Sequence, residues 1–420
     1  MELSTTLFDS PNDGDITSLK IGSMDASALK RCIPIFNKAT IHRLNHSREG
    51  KLFQYGPVSG FPDYLIELKK FLEKEYDSEV QMENLLCTGG ATSGLTLAVN
   101  LLLPKSRGMI FVDNPTYFLA HGILVRELGH TLMCVPMDKN GVDVDSFAKI
   151  VKEEYSKYKK LDDGSHFWAM YYTISVHHNP TSVVFNSEKC NKIVNLAREF
   201  SFIVLCDDVY NLLTYNKAPP PKRLFAYDSP HDENYKGGHV ISNGSFSKIL
   251  CPGVRVGWME MPPKLKYIFE NSYILSSSGS INNYVSGVVA SILKLDLLKE
   301  HLELLKSSYA NRMDLAVNCL KVGLPKDFTF HRPIGGCYIW VEGYENFDST
   351  KFEEHLINKK NIAILPGNTC SPLHFISQDK CKFKGDQSNA FRISISYNEA
   401  PILENALKIL CDELNSNTFE

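Results

Sequence analysis

The sequence predicts an α/β protein, with a larger domain built on a three-layer, mostly parallel sheet and a smaller α+β domain at its C-terminal end. Two features of the 420 residues predict this fold. Short, nearly continuous apolar runs alternate with longer amphipathic stretches, and the alternation ends near residue 290, where one long helical pattern begins. Parallel strands covered on both faces are apolar throughout and need crossover connections, so the alternation favours stacked strand–helix–strand units.

The larger domain is predicted from five apolar runs and four helical patterns. The runs predicted as strands are residues 108–113, 166–172, 201–208, 239–245 and 255–261. The segments with helical periodicity are Phe61–Tyr76, Tyr117–Leu128, Ser146–Tyr158 and Ser187–Phe200. The stretch 215–238 is rich in proline and polar residues, and it is predicted to be a long surface loop, either a binding lid or a plain insertion.

The smaller domain is predicted to begin with one long helix, 295–324, in which apolar residues recur at three- and four-residue steps. The elements after it are predicted as strand, helix, strand and terminal helix, at residues 337–343, 349–360, 391–397 and 401–414. We therefore divide the chain into an N-terminal arm (1–45), a larger domain (46–290) and a smaller domain (291–420).

Composition narrows the class of protein. The chain has 45 basic and 48 acidic side chains and a net charge of −3, which gives no electrostatic reason to expect nucleic acid or an anionic membrane as partner. We find no signal peptide, no transit peptide and no apolar run long enough to span a membrane. The 11 cysteines form no C-x-x-C pair, and His42 and His46 lack further ligands nearby, so no metal site is predicted. We expect a cytoplasmic protein.

The segment around Lys248 carries the most specific chemistry. An apolar run leads into Ser245-Phe246-Ser247-Lys248, and Arg255 follows the turn at Pro252-Gly253. Hydroxyl groups and a guanidinium can bind phosphate, while a lysine in a partly dry pocket forms a Schiff base with a carbonyl. A lone lysine is usually a solvated surface charge. Two serines and an arginine beside it favour a ligand that carries both an anion and a carbonyl.

A glycine-rich segment, 89–94, closes a strand-like run and opens an apolar helix at Ala91-Thr92. Backbone N–H groups at such a helix start bind phosphate. The same residues match a degenerate dinucleotide pattern, with Asp113 downstream as a ribose partner. On this motif alone a phosphate-bearing cofactor, a dinucleotide and a plain tight turn remain open.

Polar residues follow several predicted strands, and each has more than one interpretation. Tyr117 is either a rim residue or a plate on which a flat ring stacks. Asn179 precedes a proline and marks at least a turn. Asp207 is costly to bury unless it meets a cation or a bound group, and Tyr210 can project into the same pocket, although the pair also resembles a helix start. Arg392 interrupts an apolar strand and pairs with a carboxylate of either this chain or a substrate.

Taken in order, these motifs resemble those of the fold-type I pyridoxal-phosphate-dependent aminotransferases of the class I/II group. They are most similar to the 2-aminoadipate, kynurenine and aromatic-amino-acid transaminases. The resemblance runs from about residue 52 to residue 396. Single motifs are weak, but six in the same order are specific.

The resemblance implies a role for each candidate residue. Lys248 corresponds to the lysine that holds pyridoxal phosphate as an aldimine, and Asp207 to the acid that pairs with the pyridine nitrogen, where the cation would lower its pKa. Arg392 corresponds to the arginine that binds the substrate α-carboxylate. The other implied positions are the phosphate site (Ala91, Thr92, Ser245, Ser247, Arg255), the stacking ring (Tyr117), the phenolic oxygen (Asn179, Tyr210) and a contact to the neighbouring subunit's phosphate in a homodimer (Tyr55).

The chain also departs from the family pattern. Ser182 stands where the family has glycine, Val209 where proline or alanine is common, and Ala91 where a hydroxyl is frequent. Two histidines, His177 and His178, precede Asn179. These histidines and the 215–238 loop are expected to reshape the substrate pocket.

The leading interpretation is an aminotransferase that moves an amino group between an α-amino acid, with aromatic and 2-aminoadipate-like side chains among the candidates, and a 2-oxo acid. The mechanism would be ping-pong through a Lys248 aldimine. Alternatives on the same scaffold are a β- or γ-lyase, such as a C–S lyase, and a low-turnover regulator that binds pyridoxal phosphate. Release of pyruvate and ammonia without an acceptor would indicate the lyase. A nicotinamide dehydrogenase would leave the Ser-x-Ser-Lys segment without a role.

Overall fold

The computed structural model describes residues 16–105, 108–158, 165–215, 220–375 and 385–416. Its strands in chain order are β1 (Thr17–Ser18), β2 (Leu85–Thr88), β3 (Met109–Asn114), β4 (Thr131–Asp138), β5 (Gly141–Val142), β6 (Ala169–Thr173), β7 (Ile203–Asp207), β8 (Val240–Ser245), β9 (Gly257–Glu260), β10 (Thr329–Phe330), β11 (Tyr338–Glu342), β12 (Ile362–Ala363), β13 (Leu365–Pro366) and β14 (Ala390–Ser394). Its helices are α1 (Ala26–His46), α2 (Pro62–Tyr76), α3 (Ala91–Leu102), α4 (Phe118–Gly122), α5 (Val144–Lys157), α6 (Ser187–Phe200), α7 (Pro263–Glu270), α8 (Tyr273–Ser278), α9 (Asn283–Lys294), α10 (Leu297–Gly323), α11 (Ser349–Lys360) and α12 (Ala400–Ser416).

The larger sheet has eight strands in the order β2-β9-β8-β7-β6-β3-β4-β5. The five strands from β8 to β4 run parallel, whereas β9 and β5 run antiparallel to their neighbours. This confirms the predicted mostly parallel sheet. Because the central strands are parallel, the residues that follow β3, β6, β7 and β8 lie at one edge, where α/β proteins bind their ligands.

Helices cover both faces of this sheet. In β3, Ile110 and Val112 pack into one apolar cluster with residues of α3, while Phe111 packs into another with residues of α5 and α6. The rings of Phe111 and Phe147 lie 5.5 Å apart, edge to face. Successive residues of a strand point to opposite faces, so the apolar run of β3 fills two cores. The predicted three-layer arrangement is confirmed.

The smaller sheet is antiparallel and has the order β10-β11-β14-β13. It packs with the long helix α10 and the terminal helix α12, in agreement with the predicted α+β domain. The boundaries drawn at residues 45 and 290 stay predictions.

The N-terminal segment is more structured than the predicted arm. Residues 1–15 lie outside the described residues, but α1 spans Ala26–His46, and Asp25 caps its start by accepting a hydrogen bond from the Ala28 N–H (2.9 Å). Before it, β1 pairs in parallel with β12 of the smaller domain, Thr17 opposite Ile362. This pairing carries residues 20–22 to the edge of the larger sheet where the candidate site lies.

Other segments also differ from prediction. Strand β4 was not predicted, and the predicted helix 117–128 is divided into α4 and a π-helical turn at Ile123–Glu127. The predicted surface loop contains a short helical turn, Leu224–Tyr227, and Arg223, Leu224 and Asp228 are buried. Residues 216–219 lie outside the described residues, and most of residues 230–236 are exposed. The segment is therefore at the surface, as predicted, but its buried residues anchor it to the protein. In the described residues, no helix has the length and apolar character needed to cross a membrane.

Candidate active site

Lys248 lies in the first turn after β8, at the edge of the larger sheet. The turn Phe246–Lys248 is capped by Ser245, whose Oγ accepts from the Ser247 N–H (3.1 Å). Lys248 is half-buried, and its Nζ donates to the Gly22 carbonyl at 2.6 Å. The amino group therefore has one backbone acceptor, supplied by the N-terminal segment.

Asp207 ends the neighbouring strand β7 and is 7% exposed. Its carboxylate accepts from Tyr172 Oη (3.0 Å) and Asn243 Nδ2 (3.3 Å). Burial raises the pKa of Asp207 to about 7, although Tyr172, Lys248 and Asn243 each act to lower it. Burial thus outweighs the nearby donors in this chain, and the lowered pKa expected beside a cofactor cation stays a prediction.

A chain of hydrogen bonds joins three further candidates. Arg392 Nη1 donates to Asn179 Oδ1 (2.7 Å), and Asn179 Nδ2 donates to Tyr210 Oη (3.4 Å). Arg392 Nη2 donates to the Lys20 carbonyl (2.6 Å), and the buried Nε has no hydrogen-bond partner among the described residues. The partners of this buried guanidinium are thus an amide and a carbonyl rather than a carboxylate, which leaves its charge for a bound anion.

The candidate phosphate-binding residues also meet. Arg255 Nη1 donates to Ser247 Oγ (3.1 Å), and Nη2 donates to the Gly89 carbonyl (3.2 Å) at the start of α3. Within the part of the chain that the structure describes, no side chain caps this helix, which begins at Ala91, and Thr92 is exposed. Gly90 has a φ of 99°, and a Cβ there would lie 2.9 Å from Arg255 Nη2. Glycine therefore keeps the helix start and the arginine close together.

Tyr117 and Tyr55 are placed very differently. Tyr117 precedes α4 and is half-buried, and burial raises its pKa, with smaller contributions from Tyr338 and Asp207. Tyr117 therefore lies close to Tyr338 and Asp207. The Tyr55 side chain is 71% exposed, and the backbone carbonyl of Tyr55 accepts a hydrogen bond from the Ser280 N–H (2.8 Å).

Sequence reasoning missed several residues of the site. Tyr338 Oη lies 3.1 Å from Tyr210 Oη, and Arg392 Cζ lies 4.0 Å from the centre of the Tyr338 ring. Two backbone carbonyls, of Lys20 and Gly22, were also missed. Asn243 had a visible signal, a polar residue within an apolar run, whereas Tyr338 is recognised only once the register of β11 against β14 is known.

The two histidines before Asn179 are fully buried. His177 shares a hydrogen bond with Thr214 Oγ1 (2.8 Å), and burial lowers its pKa to about 3, so it is neutral. His178 shares one with Thr181 Oγ1 (2.9 Å). The expected influence of His177 on the pocket is therefore through packing rather than charge.

Asp113 does not suit a dinucleotide site. It is fully buried and accepts from Tyr171 Oη (2.6 Å) and Thr173 Oγ1 (2.7 Å). Its oxygens are thus held inside the protein, away from any ribose, and the dinucleotide alternative loses its acidic residue.

The chain is similar to known proteins over most of its length. The family model of aminotransferase class I and II matches residues 14–409. Aromatic-amino-acid aminotransferase 1 of Thermococcus litoralis is 27% identical over 75% of this chain and 71% of its own length. The mitochondrial kynurenine/alpha-aminoadipate aminotransferase of Mus musculus is 24% identical over 76% and 74%. The crystal structure of Pyrococcus horikoshii kynurenine aminotransferase, in complex with PMP and its kynurenine substrate, has a TM-score of 0.81 at 26% identity and covers 97% of this chain and 92% of that one.

Proposed function

Because the chain belongs to the class I and II aminotransferases and transfers amino groups with pyridoxal phosphate, we propose that its amino donor is an α-amino acid with an aromatic or 2-aminoadipate-like side chain. The acceptor is a 2-oxo acid. The named activities of the Thermococcus and mouse relatives support this choice. The observation that carries it is the convergence of a lysine amino group, a buried carboxyl group and a buried arginine at one sheet edge.

The residues present fit pyridoxal phosphate. Asp207 is a buried carboxyl group whose pKa is raised by burial, and a protonated pyridine nitrogen would supply a positive charge that favours its ionised form. The uncapped start of α3, beside Arg255 and Ser247, suits a phosphate. Lys248 supplies the amino group that joins the aldehyde.

The other assigned residues complete the site. Ala91, Thr92, Ser245, Ser247 and Arg255 would hold the phosphate. Tyr117 would stack on the ring, and Asn179 and Tyr210 would contact its phenolic oxygen. When bound, the cofactor accepts electron density from the bond that breaks at the α-carbon of the amino acid.

The chain's own residues bind the substrate and move protons. Arg392 binds the α-carboxylate through its guanidinium, and Asn179 fixes the orientation of that guanidinium. Lys248 Nζ, once it has left the Gly22 carbonyl, takes the proton from the substrate α-carbon. Asp207 would hold a negative charge for the pyridine nitrogen. A second substrate, the 2-oxo acid, uses the same residues in reverse, so the kinetics are ping-pong.

The proposed active form is a homodimer. Large apolar side chains are exposed on neighbouring elements, among them Ile41 and Leu44 of α1, Phe53 and Tyr284, and the last two rings stack at 5.8 Å. A cavity of about 340 Å³ opens beside them, lined in part by Phe36 and Val288. Exposed apolar patches of this kind usually contact another chain. Exposed Tyr55 would then reach the phosphate of the partner subunit.

The proposed location is the cytoplasm. The ten cysteines within the described residues are free thiols, as is usual in reducing compartments. Cell fractionation tests this part of the proposal.

The decisive experiment is the visible spectrum of the purified protein with pyridoxal phosphate. The wild type should show a band that borohydride traps, Lys248→Ala should show none, and the exposed-lysine control Lys321→Ala should behave like the wild type. A panel of amino acids should then convert the band with release of a 2-oxo acid. A wild type without the band would contradict the proposal, and pyruvate plus ammonia without an acceptor would favour a lyase. A trapped band that no amino acid converts would favour a regulator.

A further inference from the structure

We infer that Tyr338 is a positioning residue that directs the proton of the Tyr210 hydroxyl into the active site. The inference rests on the proposed function, in which Tyr210 contacts the phenolic oxygen of the cofactor. The two hydroxyl oxygens lie 3.1 Å apart, and the side chains are both buried. Their rings meet edge to face with centres 5.7 Å apart.

The smaller domain holds Tyr338 in this position. In the register of β11 and β14, Tyr338 lies opposite Ser394, and Arg392 lies opposite Trp340. Tyr338 and Arg392 are therefore diagonal neighbours on one face of the sheet, and the guanidinium carbon lies 4.0 Å from the ring centre. Ser182 Oγ donates to the Tyr338 carbonyl (2.7 Å).

The tyrosine hydroxyl has little room to move. A Cβ on Gly22 would overlap Tyr338 Oη, so the N-terminal segment passes directly against this oxygen. Only a residue without a side chain permits that approach. The Tyr338 hydroxyl is thus confined between Gly22 and Tyr210.

Counting donors and acceptors gives the direction of the bond. A tyrosine hydroxyl has one proton and two lone pairs. Asn179 Nδ2 already donates to Tyr210 Oη, so Tyr210 has one lone pair and one proton left. If Tyr338 donates to that lone pair, the Tyr210 proton points to the cofactor. If Tyr210 instead donates to Tyr338, its only hydroxyl proton is used and it cannot donate to the cofactor. The proposed role of Tyr210 therefore requires Tyr338 as donor.

This arrangement predicts a spectroscopic effect. Negative charge on the phenolic oxygen of the cofactor favours protonation of the Lys248 nitrogen. A hydrogen bond donated to that oxygen reduces its negative charge and so disfavours this protonation. Without the Tyr338 hydroxyl, Tyr210 is a weaker donor, so the proton on the Lys248 nitrogen is held more tightly. In Tyr338→Phe holoenzyme, the pH midpoint of the visible band should rise by about half a unit, the size expected for one neutral hydrogen bond acting through another.

A double-mutant cycle separates this role from a general structural effect. Tyr210→Phe should raise the midpoint more than Tyr338→Phe does, and adding Tyr338→Phe to Tyr210→Phe should produce no further rise. Because phenylalanine keeps the ring beneath Arg392, the KM for the amino acid should stay near the wild-type value in Tyr338→Phe. It should rise in Tyr338→Leu, which loses the ring.

An unchanged midpoint in Tyr338→Phe, or the same rise with and without the Tyr210 hydroxyl, would overturn the inference. So would a folded Tyr338→Phe protein that fails to form the band. If Tyr338→Phe does not fold, Gly22→Ala tests the same contact, because its Cβ must displace the Tyr338 hydroxyl; an unchanged midpoint there also overturns the inference. Absence of the band in the wild type would instead contradict the proposed function.

Discussion

At the scale of single residues, burial governs the protonation of Asp207. Burial raises its pKa to about 7 against an ordinary 3.8. Between these two values, the folded chain holds a proton that the unfolded chain has released. The free energy of unfolding of the cofactor-free protein must therefore fall as pH rises through this window.

Asp207→Asn should remove that pH dependence. Relative to the variant, the cofactor-free wild type should lose stability between pH 4 and pH 7, by up to about 4 kcal/mol for a group so deeply buried. Denaturant unfolding at several pH values measures this difference in stability, and a substitution at an exposed carboxyl group, Asp412→Asn, is the control. A stability difference that does not change with pH would show that the carboxyl group titrates normally.

Arg392→Lys tests the recognition of the substrate carboxylate. Lysine keeps the charge but loses the planar fork and the bond to Asn179, so the KM for the amino acid should rise roughly 10- to 100-fold. The visible band of the cofactor should be unaffected. Arg332→Lys, at an exposed ion pair with Asp314, is the matched control. An unchanged KM would assign the carboxylate to another residue.

At the scale of elements, the loop Gly335-Gly336 fixes how the smaller domain meets the larger one. Gly335 forms a β-bridge with Thr214, and the Gly336 N–H donates to the Leu213 carbonyl (3.1 Å). His177 lies against both glycines, and a Cβ on Gly335 would overlap its ring. The neutral state of His177 fits this dry contact.

Gly335→Ala should therefore destabilise the protein by roughly 1–3 kcal/mol, because the buried His177 ring has no free space into which to move. Thermal unfolding checks the prediction. Gly122→Ala is the control, since that glycine ends α4 with helical backbone angles and a Cβ there would meet nothing within 4 Å. Equal melting temperatures for the two variants would mean that the His177 ring moves aside without a cost in stability.

Local patterns predicted the elements that are long and periodic. Helix α6 matches its predicted bounds, and so does α11, while β3 is displaced by one residue. Helix α1 was missed because Pro34 lies within it and its exposed face carries Ile33, Ile41 and Leu44, which hide the amphipathic stripe.

The candidate site divides in the same way. Lys248, Asp207 and Arg392 are visible in the sequence because a charged residue beside or within an apolar run is unusual. The contact between Tyr338 and Tyr210 depends on strand register and on the docking of two domains, which no local pattern encodes. The roles given to these residues remain predictions.

At the scale of the whole molecule, the proposed dimer makes a site that two chains share. Mixing Lys248→Ala with Tyr55→Ala subunits should restore activity at limiting cofactor. In a mixed dimer, one site combines the intact lysine of one chain with the intact tyrosine of the other. Random pairing then gives about one quarter of wild-type activity.

The mixing experiment has two controls. Sedimentation establishes the oligomeric state, and Tyr267→Ala, another exposed tyrosine, should retain activity without mixing. If the activity of the mixture equals only the average of the activities of the two variants, Tyr55 does not act across an interface.

The pairing of β1 with β12 also sets an order of events during synthesis. Thr17 cannot pair with Ile362, nor the Lys20 carbonyl with Arg392, until the segments that carry these partners have left the ribosome. Domains generally fold as they emerge, so the larger sheet with Lys248 is able to form first. The segment that carries Gly22 can be fixed in place only after β12, the partner strand of β1, has been synthesised. This segment, although translated before the larger sheet, is thus able to take its place around the lysine only after that sheet has formed.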